Sequence, residues 1–327
     1  MNILVTGGCG FIGSHLVESL LKKNYKVFVI DNLSNGRKEN LAKIKNKKNL
    51  RVYISDITKK NQINKYFKNI DIVFHLAALA DIVPSIEKPR KYYNANVLGT
   101  LNVLECALEN KIKKLIYTAS SSSFGIPLKY PTNEKEKIDL QYPYALTKHM
   151  GEELVLHWGK VYKMNVLSLK LFNVYGPRSR TTGTYGAVFG VFLAQKISGN
   201  PLTVVGDGKQ KRDFTYVSDV VNALYLAARS NAKGMSINIG SGKTYSINKL
   251  VSLIGGKKVY IAKRPGEPDC TWADISKAKK ILKWVPKVSL EKGVKNMLKQ
   301  IEWWKNSPVW TEEKINKATK TWFKYLS

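Results

Sequence analysis

Short apolar runs alternate with longer mixed stretches through the first half of the chain. Ile3–Thr6, Lys26–Ile30, Arg51–Ser55, Ile72–Leu76, Lys114–Ala119 and Val166–Phe172 are rich in Val, Ile and Leu. Their apolar positions run nearly continuously instead of alternating, which fits strands covered on both faces of a parallel sheet. Between them, the spacing predicts helices near residues 12–23, 59–68, 91–110 and 144–163. Strand-helix alternation of this kind predicts an α/β fold with a doubly wound parallel sheet.

After about residue 176 the texture changes. Gly, Pro and Thr become frequent and the apolar runs shorten. A helix is expected near 186–198, a strand and turn over 202–208, and helices over Ser218–Arg229 and Ser246–Ile254. Ser236–Gly240 is a candidate strand returning to the main sheet. The chain therefore divides into residues 1–176, joined by a strand near 235–241, and a smaller, interleaved C-terminal region over 177–327. Val309 to Leu326 reads as an amphipathic helix whose aromatics Trp322, Phe323 and Tyr325 are expected to pack on the body.

Composition narrows this picture. An apolar share of 44% over 327 residues supports a sizeable core and excludes a disordered chain. The net charge of +30 raises nucleic acid or an anionic surface as partners. The lysines are scattered, however, as in Lys22-Lys23, Lys45 to Lys48, Lys59-Lys60, Lys113-Lys114, Lys257-Lys258 and Lys279-Lys280. They read as solvated faces and helix ends, so neither nucleic acid nor membrane is expected. A positive field still suits a phosphate-bearing substrate. Cys9, Cys106 and Cys270 lack metal-ligand spacing and read as reduced thiols of a cytoplasmic protein, with no metal. No secretory signal or spanning segment is read.

Gly7-Gly8-Cys9-Gly10-Phe11-Ile12-Gly13 links the first strand to the first helix. Glycines at 7, 10 and 13 allow a sharp turn, close approach of a pyrophosphate and tight helix-strand packing. The helix N-terminus then offers N–H groups to phosphates. Asp31 ends the second strand 18 residues after Gly13. A carboxylate there accepts hydrogen bonds from a ribose 2′-OH and repels a 2′-phosphate, which favours NAD over NADP. Arg37 nearby leaves NADP open. Asp56-Ile57 closes the third strand, where a carboxylate can meet the adenine amino group. Leu76-Ala77-Ala78 closes the fourth, where small residues let a cofactor lie against the backbone.

Tyr144 and Lys148 open a predicted helix at positions i and i+4, and so share a face. An ammonium beside a phenol favours the phenolate and draws the tyrosine pKa toward neutrality. The serine run Ser120-Ser121-Ser122-Ser123 ends a predicted strand 24 residues upstream of Tyr144.

Taken together, the glycine cradle, the serine run and Tyr144-Ala145-Leu146-Thr147-Lys148 resemble the extended short-chain dehydrogenase/reductase family, from Gly7 to about Lys299. Within it the chain is most similar to the nucleotide-sugar 4-epimerases acting on UDP-glucose or UDP-N-acetylglucosamine. Asp31-Asn32-Leu33, Asn94 to Thr100, Phe172 to Arg178, Arg212-Asp213-Phe214 and Arg264-Pro265-Gly266-Glu267 carry the resemblance. It implies a Rossmann domain with a sugar-nucleotide domain, tightly bound NAD, a UDP-sugar substrate, and a homodimer built on helices at 97–110 and 145–163. It places the catalytic residues at Ser120, Tyr144 and Lys148. Asn32 and a structural asparagine, Asn96, fall at the cofactor. Asn173, Arg212 and Arg264 fall where the nucleotide diphosphate is held, and guanidinium forks suit phosphate oxygens.

The resemblance also excludes reactions. The 4,6-dehydratases carry an Asp-Glu pair, and the UDP-glucuronate decarboxylases a Glu, where Ser121 and Ser122 stand. Serine is no general acid or base near pH 7, so these two are expected to line the sugar site without acid-base work. What is implied is the minimal reaction: Tyr144 takes the 4-OH proton as C4 is oxidised by NAD, Ser120 hydrogen-bonds the same oxygen, and the ketosugar turns and is reduced on its other face. Phe124 stands where the family commonly has Tyr, which removes a hydroxyl near the sugar. Thr271 falls at a position that gates the sugar 2-substituent, and its small side chain would admit an N-acetyl group. Thr182 to Val188 also resembles the N-acetylglucosamine enzymes. Arg180, in contrast, falls where some UDP-glucuronate 4-epimerases place an arginine. The alternatives are UDP-glucuronate 4-epimerisation, a non-epimerising sugar-nucleotide reductase or dehydrogenase, and a Rossmann protein that only binds.

Overall fold

The computed structural model describes residues 1–44, 47–179 and 188–326. Strands β1 (Asn2–Thr6), β2 (Lys26–Asp31), β3 (Leu50–Ile54), β4 (Ile72–His75), β5 (Lys114–Ser120) and β6 (Val166–Leu171) lie where the apolar runs predict them. A further strand, Met235–Ile239, pairs in parallel with β6, so the second half of the chain does return to the main sheet. Among the described residues this sheet has seven strands, in the order Met235–Ile239, β6, β5, β4, β1, β2, β3, and every pairing is parallel. The fold is Rossmann-like, with the chain reversing direction across the sheet between β1 and β4.

Alternate side chains feed two apolar layers, as the strand period requires. Ile3, Val5, Val27, Val29 and Phe74 face helix α1 (Phe11–Lys22) through Leu16, Val17, Leu20 and Leu21. Leu4, Ile30, Val73, Leu115 and Tyr117 face the opposite layer, where Val103, Leu104 and Ala107 come from the helix Gly99–Glu109 and Val155 from the helix Pro143–Val161. Cys9 and Cys106 are buried one in each layer.

Among the described residues, three short two-stranded ladders organise the second half: Val174–Tyr175 with Thr215–Tyr216, Lys211–Arg212 with Tyr245–Ser246, and Leu202–Val205 with Lys258–Ile261. No helix among the described residues is long and apolar enough to cross a membrane.

Several expectations need correction. The stretch 59–68 is one α-turn (Lys60–Ile63) followed by a 3₁₀ turn (Asn64–Phe67). The stretch 91–110 is a helix interrupted by a π-helical turn over Asn94–Leu98. Lys114 is buried at 4% exposure and donates to the Ser230 carbonyl, so Lys113-Lys114 is only half a solvated pair. In the C-terminal helix, Glu312–Leu326, Trp322 is buried but Tyr325 is 62% exposed. Arg180 and the Thr182–Ala187 part of the substrate segment lie outside the described residues.

Candidate active site

The glycine turn is a backbone cradle. Gly7 has φ +73°, and a Cβ there would lie 2.7 Å from the Ala77 amide nitrogen. At Gly13 a Cβ would sit 2.1 Å from the Gly7 carbonyl oxygen. The first glycine lets the turns after β1 and β4 touch; the other lets α1 pack onto the turn that precedes it. Gly10 N–H donates to Gly7 O at 3.0 Å and closes the turn.

A cavity of about 400 Å³ opens above this cradle, at the carboxyl ends of the strands. Every sequence-predicted cofactor residue of the first four strand ends lines it: Gly7, Gly10, Phe11, Ile12, Gly13, Asp31, Asn32, Asp56, Ile57, Leu76, Ala77 and Ala78. Such a position, at the reversal of strand order, is where open α/β sheets bind ligands. Asp31 is 7% exposed and accepts the Cys9 N–H at 2.9 Å and the Leu33 N–H at 2.8 Å. Burial pushes its carboxyl above the ordinary range, against the pull of those two N–H groups. Asp56 accepts the Thr58 N–H at 2.9 Å and the Asn32 side-chain amide at 3.0 Å. Burial opposes its ionisation, but these hydrogen bonds together outweigh burial and hold its carboxyl below the usual range.

Asn96 does not reach the cavity. It is 1% exposed, and its amide is fully committed: Oδ1 accepts Leu79 N–H at 2.8 Å, while Nδ2 donates to Leu79 O and Thr147 Oγ1, each at 3.0 Å. It ties the turn after β4 to the helix that carries Tyr144. Beside it, Thr100 donates to the Asn96 carbonyl at 2.6 Å. Thr100 therefore accepts from His75 Nε2 at 3.0 Å, and His75 Nδ1 accepts from Thr6 at 2.7 Å. Burial, with Lys148 nearby, drives the His75 pKa down to about 3, which keeps the ring neutral.

The serine run begins at the last residue of β5 and lies outside the cavity lining, as do Tyr144 and Lys148. Ser120 caps a 3₁₀ turn over Ser121–Phe124. Its Oγ accepts the Ser122 N–H at 3.2 Å and the Ser122 hydroxyl at 2.8 Å. The Ser120 and Ser122 hydroxyls both favour the ionised form of Tyr144, so the three hydroxyl groups are neighbours. Phe124 points away from them. It is 1% exposed and packs on Phe172, so the hydroxyl expected to be missing near the sugar is missing from the core instead.

Lys148 departs from the predicted geometry. Its ammonium donates to the Thr118 carbonyl at 2.6 Å and lies 4.3 Å over the Tyr117 ring. Burial lowers its pKa to about 7, with Glu152 pulling the other way. Burial likewise pushes the Tyr144 phenol above its ordinary value. The Ser120 hydrogen bond opposes that rise, the Asp81 charge adds to it, and the Ser122 hydrogen bond opposes it. The expected lowering of the Tyr144 pKa by Lys148 is therefore not found: the shift is upward and Lys148 is not among its causes. The residues share a helix, but the short amine-carbonyl bond turns the ammonium toward β5.

Asn173 and Thr271 are brought together from 98 residues apart, Asn173 Nδ2 donating to Thr271 Oγ1 at 2.7 Å. Thr271 Oγ1 also accepts the Asp213 N–H at 3.1 Å. Arg212 and Arg264 converge on one carboxylate, Glu267, at 3.9 and 3.7 Å, with side chains 12% and 10% exposed. Arg212 also donates to the Pro268 carbonyl at 2.8 Å. Both guanidiniums are thus held beside one partly buried carboxylate, not spread over the surface. Sequence reasoning missed Asp81, which lines the cavity and acts on Tyr144. It also missed Ser307, Pro308 and Trp310, which line the cavity from the far end of the chain. No periodicity or motif marks these positions.

Comparison with known proteins bears on the family and the fold. Residues 3–240 match the model of the NAD dependent epimerase/dehydratase family. A UDP-glucuronate 4-epimerase of Thermodesulfobacterium geofontis is 36% identical over 307 residues, covering 89% of this chain and 93% of that protein. A UDP-N-acetyl-alpha-D-glucosaminuronate decarboxylase of Bacillus cytotoxicus is 32% identical, covering 92% and 97%. Among solved structures, the Thermotoga maritima UDP-glucose 4-epimerase with UDP-glucose superposes with a TM-score of 0.86 at 35% identity, covering 93% of this chain and 98% of that one. The UDP-N-acetylglucosamine 4-epimerase of Methanobrevibacter ruminantium M1 does so with 0.85 at 34%, covering 91% and 98%.

Proposed function

Because the chain belongs to the NAD dependent epimerase/dehydratase family, we propose that it interconverts C4 epimers of a UDP-sugar, hexose or N-acetylhexosamine, through a 4-keto intermediate. The cofactor is NAD. The cradle fits it: Gly7 and Gly13 leave no room for a Cβ, and Asp31 and Asp56 present carboxylates to the cavity. When bound, NAD supplies a two-electron acceptor that returns the same electrons, so the reaction has no net oxidant.

The cluster of Tyr144, Ser120 and Ser122 hydroxyls carries this reading. Tyr144 takes the proton of the sugar 4-OH and later returns it. Ser120, held by two donors from Ser122, presents its own hydroxyl hydrogen toward the 4-oxygen. Lys148 orients the cofactor ribose and, once drawn from the Thr118 carbonyl, supplies the positive charge that Tyr144 needs to ionise. Arg212 and Arg264 hold the diphosphate while the sugar turns about it.

Neither serine of the Ser121-Ser122 pair can serve as an acid-base partner, which favours epimerisation over dehydration or decarboxylation. Asp81, whose charge reaches Tyr144, opposes a second carboxylate in the sugar site and favours neutral hexoses. The name of the Thermodesulfobacterium relative favours glucuronate instead. A UDP-sugar panel followed by NMR decides, and consumption of NAD(H) without a C4 epimer would indicate a reductase or dehydrogenase. We place the protein in the cytoplasm as a homodimer paired through the helices at 97–110 and 145–163. Exposed Leu146, Val161 and Tyr162 on the second of these support that pairing.

A further inference from the structure

The C-terminal helix Glu312–Leu326 lies beyond the segment that resembles the family. It buries one face through Ile315, Thr319 and Trp322, at the i, i+4, i+7 spacing of a helix docked on the body. Its outer positions carry Lys314, Lys317, Lys320 and Lys324. Thr321 donates to Glu87 at 3.4 Å, on the short helix that follows Asp81.

Trp322 is where this helix meets Arg264. Its indole N–H donates to the Pro265 carbonyl at 2.8 Å, directly after Arg264. The Arg264 guanidinium lies 5.5 Å over the same indole. The indole also meets the Tyr142 ring, tilted, at 6.3 Å, and Tyr142 stacks parallel to Tyr144, also at 6.3 Å. One side chain thus touches the arginine loop and the tyrosine next to the proposed acid-base residue. Both ends count for binding: an arginine has several rotamers to lose on gripping an anion, and a ring beneath a planar guanidinium removes that freedom beforehand.

We propose that Trp322 is a positioning residue, and that the C-terminal helix is a clamp fixing Arg264 for a nucleoside diphosphate. This rests on the reading of Arg212 and Arg264 as the diphosphate site. The similar solved structures are 98% covered while this chain is 91 to 93% covered, so this chain carries residues beyond those shared segments.

The test is calorimetric binding of UDP to the full-length protein, with KM and kcat for the UDP-sugar beside it. Trp322→Ala is expected to weaken UDP about tenfold, the scale of losing one hydrogen bond and one cation–π contact. KM should rise with it, and kcat should fall less than about threefold. Trp322→Phe, which keeps a ring but loses the indole N–H, should weaken UDP by about threefold. UDP affinity within error of wild type in Trp322→Ala overturns the proposal. If Trp322→Ala does not fold, the Phe variant decides alone: weakened binding supports the clamp and unchanged binding overturns it. Arg264→Met separates the premises. Unchanged UDP binding there overturns the diphosphate site itself and the clamp with it. A strong Arg264→Met effect beside a silent Trp322→Ala overturns the clamp only.

Discussion

Lys170 Nζ sits 2.7 Å from the Glu152 carboxylate, with the two side chains 4% and 3% exposed. Glu152 also accepts Ser168 Oγ at 2.8 Å and Ser236 Oγ at 2.6 Å, so strands from both halves of the chain converge on it. Lys170 reaches on to Ser123 Oγ at 3.2 Å, and Ser123 donates to the Ser120 carbonyl at 3.0 Å. The buried pair therefore stands directly behind the serine turn. Ser123, to which the sequence assigns no role, is the link.

Removing one member of this pair leaves the other charged and buried. Glu152→Gln is expected to destabilise the fold by about 3–5 kcal/mol, since an uncompensated buried charge is the costly state. The double variant Glu152→Gln with Lys170→Met should recover part of that loss. Urea unfolding of the four species measures the coupling; additive losses would show that the pair is not a unit.

Gly13→Ala should fold but lose cofactor. A methyl 2.1 Å from the Gly7 oxygen forces α1 away from the turn that cradles the pyrophosphate. Nucleotide released on acid denaturation of the purified variant should fall well below that of wild type. Equal content would mean that the cradle is not where the cofactor is held.

These two predictions differ in how far the sequence alone supports them. The glycine cradle and the seven strands of the main sheet are legible, because apolar runs and glycine spacing are local signals. The six-residue helix Ile82–Glu87 is not, because it is too short to show a helical period, and it carries Pro84. At the third helical position its missing N–H costs nothing, since first-turn N–H groups lack intrahelical partners anyway. Trp310 on the cavity wall, Lys148 on Thr118 and Glu152 on Lys170 depend on contacts between distant segments. Periodicity carries no information about them. Asn96 was legible as a structural residue, but the π-helical turn that aims it at Leu79 was not.

His75 gives a pH prediction. Its folded pKa is depressed to about 3, whereas an unfolded histidine titrates near its ordinary 6.5. The unfolded chain therefore binds the extra proton between these values. This group's contribution to stability is complete above about pH 6.5 and is lost as pH falls toward 3, by up to about 1.4 kcal/mol per pH unit. By NMR the His75 ring should keep its neutral Nε2–H form from pH 8 to 4. A midpoint near pH 6 would contradict the Thr6-His75-Thr100 network.

Asn96→Ala should unpin the turn after β4 from the Tyr144 helix. Two Leu79 backbone groups lose their partner, at a cost of about 1–3 kcal/mol for each left unsatisfied. Thermal unfolding should show the loss, and hydrogen exchange should rise at the Leu79 amide. An unchanged Leu79 amide would remove Asn96 from the bracing role.

The central claim is that Tyr144 moves the proton in a C4 epimerisation. The direct measurement is NMR of purified protein with UDP-glucose, UDP-N-acetylglucosamine and UDP-glucuronate, with no NAD added, for wild type and Tyr144→Phe. The account predicts a C4 epimer from at least one neutral sugar. It also predicts a rate lowered about 10²–10⁴-fold by Tyr144→Phe, with bound NAD retained. Wild-type turnover in Tyr144→Phe, or no C4 epimer from any of the three sugars, would contradict it.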